Sequence, residues 1–71
     1  MIYQAYVGKK LWFEASSFAE LLKTVIKYHQ AGDFYDQRPV PDYSKVCSVD
    51  EDDNETLYDA VGFTDSVKGQ V

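Results

Sequence analysis

The chain has 71 residues, 45% hydrophobic and 15% aromatic, with a formal net charge of −5 and a sequence pI near 4.5. A single domain of this size buries only about 60% of the surface its unfolded chain exposes, yet the composition is too apolar for a wholly disordered chain. Cys47 is the one cysteine and His29 the one histidine, which excludes an internal disulfide and the usual zinc sets, and no segment approaches the roughly 20 apolar residues of a membrane helix.

Residues 2–7, Ile-Tyr-Gln-Ala-Tyr-Val, are β-branched and aromatic, and Leu-Trp-Phe-Glu-Ala follows at 11–15. With Gly8, Lys9 and Lys10 between them, the pattern predicts a β-hairpin. Two registers compete. A two-residue Gly8–Lys9 turn of the primed kind pairs Tyr6 with Leu11. A three-residue loop pairs Val7 with Leu11, Ala5 with Phe13 and Tyr3 with Ala15. In both, alternation puts Leu11, Phe13 and Ala15 on one face and Trp12 with Glu14 on the other.

Ser17-Phe-Ala-Glu20 reads as a capping box, in which the serine accepts from the third helical N–H and Glu20 reaches back. Phe18, Leu21, Leu22, Val25 and His29 then share a stripe at helical spacing, with Glu20, Lys23 and Lys27 opposite. Gly32 is expected as a left-handed C-cap. The prediction is a helix over about residues 18–31, with Phe18, Leu21, Leu22 and Val25 buried against Leu11 and Phe13.

Residues 33–42 contain Pro39 and Pro41, which exclude a helix and favour an extended path. Residues 43–49 are expected as a third strand, 50–54 as a turn and 55–63 as a fourth strand. A rival reading makes 53–61 a short helix, with Asp52 as N-cap, Gly62 as C-cap, and Leu57, Ala60 and Val61 facing the core. Residues 64–71 are polar and are expected to fray. The expected fold class is therefore α+β: one small two-layer domain over 1–71, ordered ββαββ, with one helix on an antiparallel or mixed sheet. From Met1 through the hairpin to the Ser17-capped helix, this order resembles the β-grasp fold of ubiquitin-like domains. The chain ends Val-Lys-Gly-Gln-Val without their diglycine tail, so conjugation is not implied.

No residue set names a reaction. Asp50, Asp52 and Asn54 match the first three ligand positions of an EF-hand loop, but Glu55 stands where the loop needs glycine and Val61 where it needs a bidentate glutamate. Ser16 and Ser17 serve helix capping. Cys47 has only Lys45 nearby to lower its pKa, and His29 at the last helical turn suits packing and carbonyl contact. Gly8, Gly32, Gly62 and Gly69 are too scattered for a phosphate loop. The expectation is a non-enzymatic protein without cofactor or metal. No signal peptide is visible, and a reducing, cytoplasmic setting fits.

Charge is the most informative feature. Residues 33–71 hold ten acids (Asp33, Asp36, Asp42, Asp50, Glu51, Asp52, Asp53, Glu55, Asp59, Asp65) against Arg38, Lys45 and Lys68, a net −7, whereas residues 1–32 net +2. That balance argues against direct nucleic-acid binding, since phosphate affinity scales with neutralising cations. Trp12 under either register, joined by Tyr6 under the three-residue loop, would stand on an outer sheet face as a contact residue of the kind enriched at interface hot spots; coverage by Phe34, Tyr35 or Phe63 is the alternative.

A short acidic chain rich in Tyr and Asp, carrying the 50–59 cluster together with Asp33, Asp36 and Asp42, resembles in type the inhibitors that phages and mobile elements make against host defence. Anti-CRISPR and anti-restriction proteins include acidic DNA mimics of this kind. The resemblance implies an inhibitor acting in a bacterial host's cytoplasm. Its carboxylates would stand in for phosphates in a basic groove, such as that of a Cas complex subunit, with Asp33, Asp36, Asp50, Glu51, Asp52, Asp53, Glu55, Asp59, Tyr6 and Trp12 at the contact. The alternative is a β-grasp-like adaptor or regulatory module that binds a protein through the Trp12 face.

Overall fold

A computed structural model describes residues 1–31 and 38–70. The elements are β1 (Ile2–Val7), β2 (Lys10–Ala15), α1 (Phe18–Gln30), β3 (Lys45–Val49), β4 (Glu55–Tyr58) and α2 (Ala60–Gln70). The four strands form one antiparallel sheet in the order β2-β1-β3-β4. The fold is α+β, ordered ββαββα, with both helices contributing to a core on one sheet face. The mixed-sheet alternative drops out, and the order carries one helix more than the ββαββ reading.

The hairpin realises both competing registers. Next to the turn, Val7 pairs with Lys10 and Tyr6 with Leu11; further along, Ala5 pairs with Phe13 and Tyr3 with Ala15. Gly8 takes φ +63° as the first residue of the turn, the backbone region that glycine enters without a Cβ penalty. The two registers are reconciled by a bulge on β2, where one extra residue breaks the alternation. The expectation that Leu11 shares the face of Phe13 and Ala15 is therefore corrected. Leu11 lies opposite Tyr6 and is exposed, while Phe13 lies opposite Ala5 and packs on the core.

Helix α1 starts as its sequence requires. The Ser17 side chain accepts the Glu20 N–H at 3.1 Å, and Leu21, Val25 and His29 are buried along one stripe. Phe18 is exposed and Leu22 only half-buried, so two members of the expected stripe sit at its margin. The last helical turn is closed by the N–H of Ala31, which has ordinary right-handed φ of −76° and donates to Lys27 and Tyr28 carbonyls. The expected cap, Gly32, lies outside the described residues.

The second half departs most from its sequence reading. Strand β3 begins at Lys45 rather than Tyr43, and β4 ends at Tyr58 rather than Phe63. Neither the long strand nor the 53–61 helix is present; a strand and a helix divide the segment at Asp59. The residues expected to fray, 64–70, belong to α2, which buries Phe63, Thr64 and Val67. Asp59 is the N-cap: its Oδ1 accepts the Gly62 N–H at 3.0 Å, and its carbonyl takes the first helical bond from Phe63. Gly62 is thus the third helical residue and not a terminator, and a Cβ there would sit 2.7 Å from Asp59 Oδ2. Asp59→Ala is expected to cost about 0.5–2 kcal/mol, seen as a lowered melting temperature. Asp59→Asn, which keeps the acceptor, should lose much less.

Two layers meet in one core of Ala5, Leu21, Val25, Tyr43, Val46, Phe63 and Val67. The segment before β3 is fastened by polar bonds as well. The Tyr43 N–H donates to Thr64 Oγ1 at 3.0 Å, and His29 closes a buried pair with the Tyr43 hydroxyl at 2.7 Å. His29 Nδ1 lies 2.9 Å from the Arg38 carbonyl, which can only accept. In the neutral ring Nδ1 therefore carries the proton, and Nε2 accepts from Tyr43.

Candidate functional site

The acidic run forms the turn between β3 and β4. Asp50 organises it. Its Oδ1 accepts the backbone N–H groups of Asp52 and Asn54, each at 2.9 Å, and its own N–H donates to the Asn54 carbonyl. The Asp53 N–H donates back to the Asp50 carbonyl at 3.1 Å, with Asp53 at φ +61°. This is a turn followed by a left-handed residue, a form that Asp tolerates because its short side chain can bond locally. The Asn54 and Asp52 N–H donors, Asn54 first, hold the Asp50 carboxyl below the usual carboxylate range. Glu51, Asp52 and Asp53 are exposed, and among the described residues no cation pairs with them.

The other predicted site residues do not all join this tip. Glu55 lies on the sheet face away from the helices, where Lys45 Nζ meets its carboxylate at 2.9 Å. That carboxylate, as hydrogen-bond partner, holds the Lys45 ammonium above its ordinary range. Lys45 also sits 5.2 Å from the centre of the ring of Tyr6, its register partner on β1, and its side chain reaches along the outer face to Glu55, which is in register with Val49. Asp59 stands at the far end of β4, roughly 13 Å from Glu55 at about 3.3 Å per residue, and is committed to capping α2. Asp33 and Asp36 lie outside the described residues.

Trp12 requires a correction. It does not point away from the helices. Its ring makes an edge contact with Tyr43, which is itself packed against Phe63 and His29, and a tilted contact with Phe13. The bulge is the cause, since two residues of β2 now oppose one of β1. Trp12 remains 40% exposed and lines a shallow cleft of about 300 Å³ with Lys10, Leu11, Phe13 and Tyr28.

The outer sheet face carries Ile2, Gln4, Tyr6, Cys47, Val49, Glu55 and Leu57. Cys47 is buried there, and that burial pushes its thiol up from the ordinary value. Among the described residues no element packs over this face, and Leu57 is 66% exposed. Sequence reading missed two features here: the pairing of Glu55 with Lys45, and Leu57 at an open sheet edge. The period-2 pattern places Lys45 and Glu55 on one face, away from Val46, but their meeting is not legible from it, because Glu55 is in register with Val49, four residues along β3. The second carries no sequence signal, since leucine in a strand reads as core.

Among the described residues no helix is long and apolar enough to cross a membrane, and no group of three or more His, Cys, Asp or Glu side chains is placed to hold a metal ion. Comparison with protein-family models, curated proteins and solved structures returned no match.

Proposed function

We propose that the protein is a non-enzymatic inhibitor that binds a basic, nucleic-acid-binding surface of another protein through the β3–β4 turn. The observation that carries this reading is the form of the turn. Glu51, Asp52 and Asp53 are exposed, with no cation partner among the described residues, on a loop held by two side-chain and two backbone hydrogen bonds. Carboxylates held in place lose less freedom on binding than the same groups on a loose tail, and like charges gathered at one tip attract a basic groove over several ångströms. The resemblance to anti-defence inhibitors names the class of target: a DNA-handling complex of a bacterial host, such as a Cas subunit. The engagement of both His29 nitrogens and the burial of Cys47 support a non-enzymatic role.

The test is a variant that keeps Asp50 and neutralises the tip: Glu51→Gln, Asp52→Asn and Asp53→Asn together. Three exposed charge contacts at about 0.5–1 kcal/mol each predict a loss of roughly 10–150-fold in affinity, with melting unchanged. Partners captured from a bacterial lysate should elute with double-stranded DNA. They should also elute as salt rises from about 0.1 M to about 1 M, where the screening length falls from about 10 Å to about 3 Å. Full capture by the triple variant, indifferent to salt and DNA, would sink the proposal. It would favour the alternative, an adaptor that docks through the open sheet face, for which exposed Ile2 and Leu57 are the specific observation.

A further inference from the structure

The two edges of the sheet differ. Strand β2 is protected by devices that natural sheets use against unwanted pairing: Lys10 at its start and the bulge at its centre. Strand β4 has neither lysine, proline nor bulge. All four of its residues are exposed, and α1 reaches it at its Tyr58 end through the Phe18 ring, 5.6 Å from that of Tyr58.

The ladder shows which β4 groups are free. The Asp50 N–H bonds the Asn54 carbonyl. Opposed residues in an antiparallel pair alternate between bonded and non-bonded. Ser48–Thr56 and Val46–Tyr58 are therefore the bonded pairs, and Val49–Glu55 and Cys47–Leu57 are not. Hence the N–H and C=O groups of Glu55 and Leu57 point out of the sheet, and their side chains lie on its open face.

We propose that this edge accepts an extended, basic segment of the partner as a fifth strand. The inference rests on the reading that the partner is basic, and it specifies how that partner is held. Backbone bonds to Glu55 and Leu57 would supply the pairing, an apolar residue would cover Leu57, and lysine or arginine on either side would reach the two acidic ends of the strand. Asp50–Asp53 stand at one end and Asp59 at the other, with Glu55 between them, and Lys45 is the cation already paired there. The same charges select the occupant. A second copy of this chain pairing edge to edge would set these acids against their own kind, whereas a basic strand is complementary.

The experiment uses the whole chain, isotopically labelled, and two synthetic peptides of equal charge. One alternates lysine with valine; the other replaces the valines with proline, which cannot donate to a ladder. Amide hydrogen exchange is read residue by residue. The alternating peptide should slow exchange at Glu55 and Leu57 by about tenfold or more, while Thr56 and Tyr58, already bonded to β3, change little. The proline peptide should bind at least about tenfold more weakly. Equal binding of both peptides, with Glu55 and Leu57 unprotected, overturns strand addition and leaves the acidic-tip reading intact. Binding of neither peptide also overturns it, and the tip-neutralised variant then decides the parent reading separately. Protection of Glu55 and Leu57 without peptide, in a dimer seen by sedimentation, overturns the basic occupant in favour of a second copy. Because these measurements are made on the unaltered chain, no outcome depends on a variant that fails to fold.

Discussion

Leu21→Ala is expected to lower stability by about 2–5 kcal/mol. Leu21 is fully buried where α1 meets the sheet, among Ala5, Val25, Val46 and the α2 residues Phe63 and Val67. Truncation removes its transfer free energy and leaves a cavity between two layers that both depend on the same cluster. A domain of this length has a total stability of roughly 4–10 kcal/mol, so the variant should be largely unfolded near body temperature. Leu22→Ala is the control, because Leu22 is only half-buried and its loss should be clearly smaller. Urea titration of both variants checks the assignment, and equal midpoints would mean that the α1 stripe is centred on the wrong residue.

Tyr43→Phe carries the second large effect, through one buried hydroxyl. Its loss leaves His29 Nε2 without a donor while Nδ1 stays committed to the Arg38 carbonyl, at a cost of about 1–3 kcal/mol. It should also change the response to alkali. Burial, with a smaller contribution from the Tyr28 phenol, pushes the Tyr43 phenol up to about 12. The folded value lies above the ordinary tyrosine value of about 10. The protonated phenol's contribution is therefore complete below about pH 10 and is lost as pH rises toward about 12. Wild type should accordingly lose melting temperature across that interval. Tyr43→Phe should begin lower and fall less steeply. A parallel decline in both proteins would remove Tyr43 as the cause.

Helix α1 was legible because its signals are local and agree: a serine cap, an apolar stripe and an opposite charged face all lie within fourteen residues. Helix α2 was hidden because its signals conflict. Gly62 and Gly69 lower its propensity, Thr64, Asp65 and Ser66 dilute its stripe, and its cap, Asp59, follows a run of acids in which Asp52 reads equally well as a cap. What stabilises it is burial of Phe63 and Val67 against α1 and β3, which a scan of neighbouring residues does not see.

The candidate site divides in the same way. The turn at 50–54, the clustering of acids there and the hairpin at 2–15 follow from the sequence by itself, since each depends on residues within a few positions of one another. Only the tertiary structure decided that Trp12 turns toward Tyr43, that Glu55 is paired with Lys45, that Asp59 caps a helix at the far end of the strand, and that β4 is left with an open edge. The hairpin's two registers are each locally acceptable, and pairing of β1 with β3 beneath the helices selects a bulged combination of both. The reason is that local sequence specifies which backbone form a segment prefers, whereas the face a side chain takes and the neighbour it meets depend on strands and helices far along the chain.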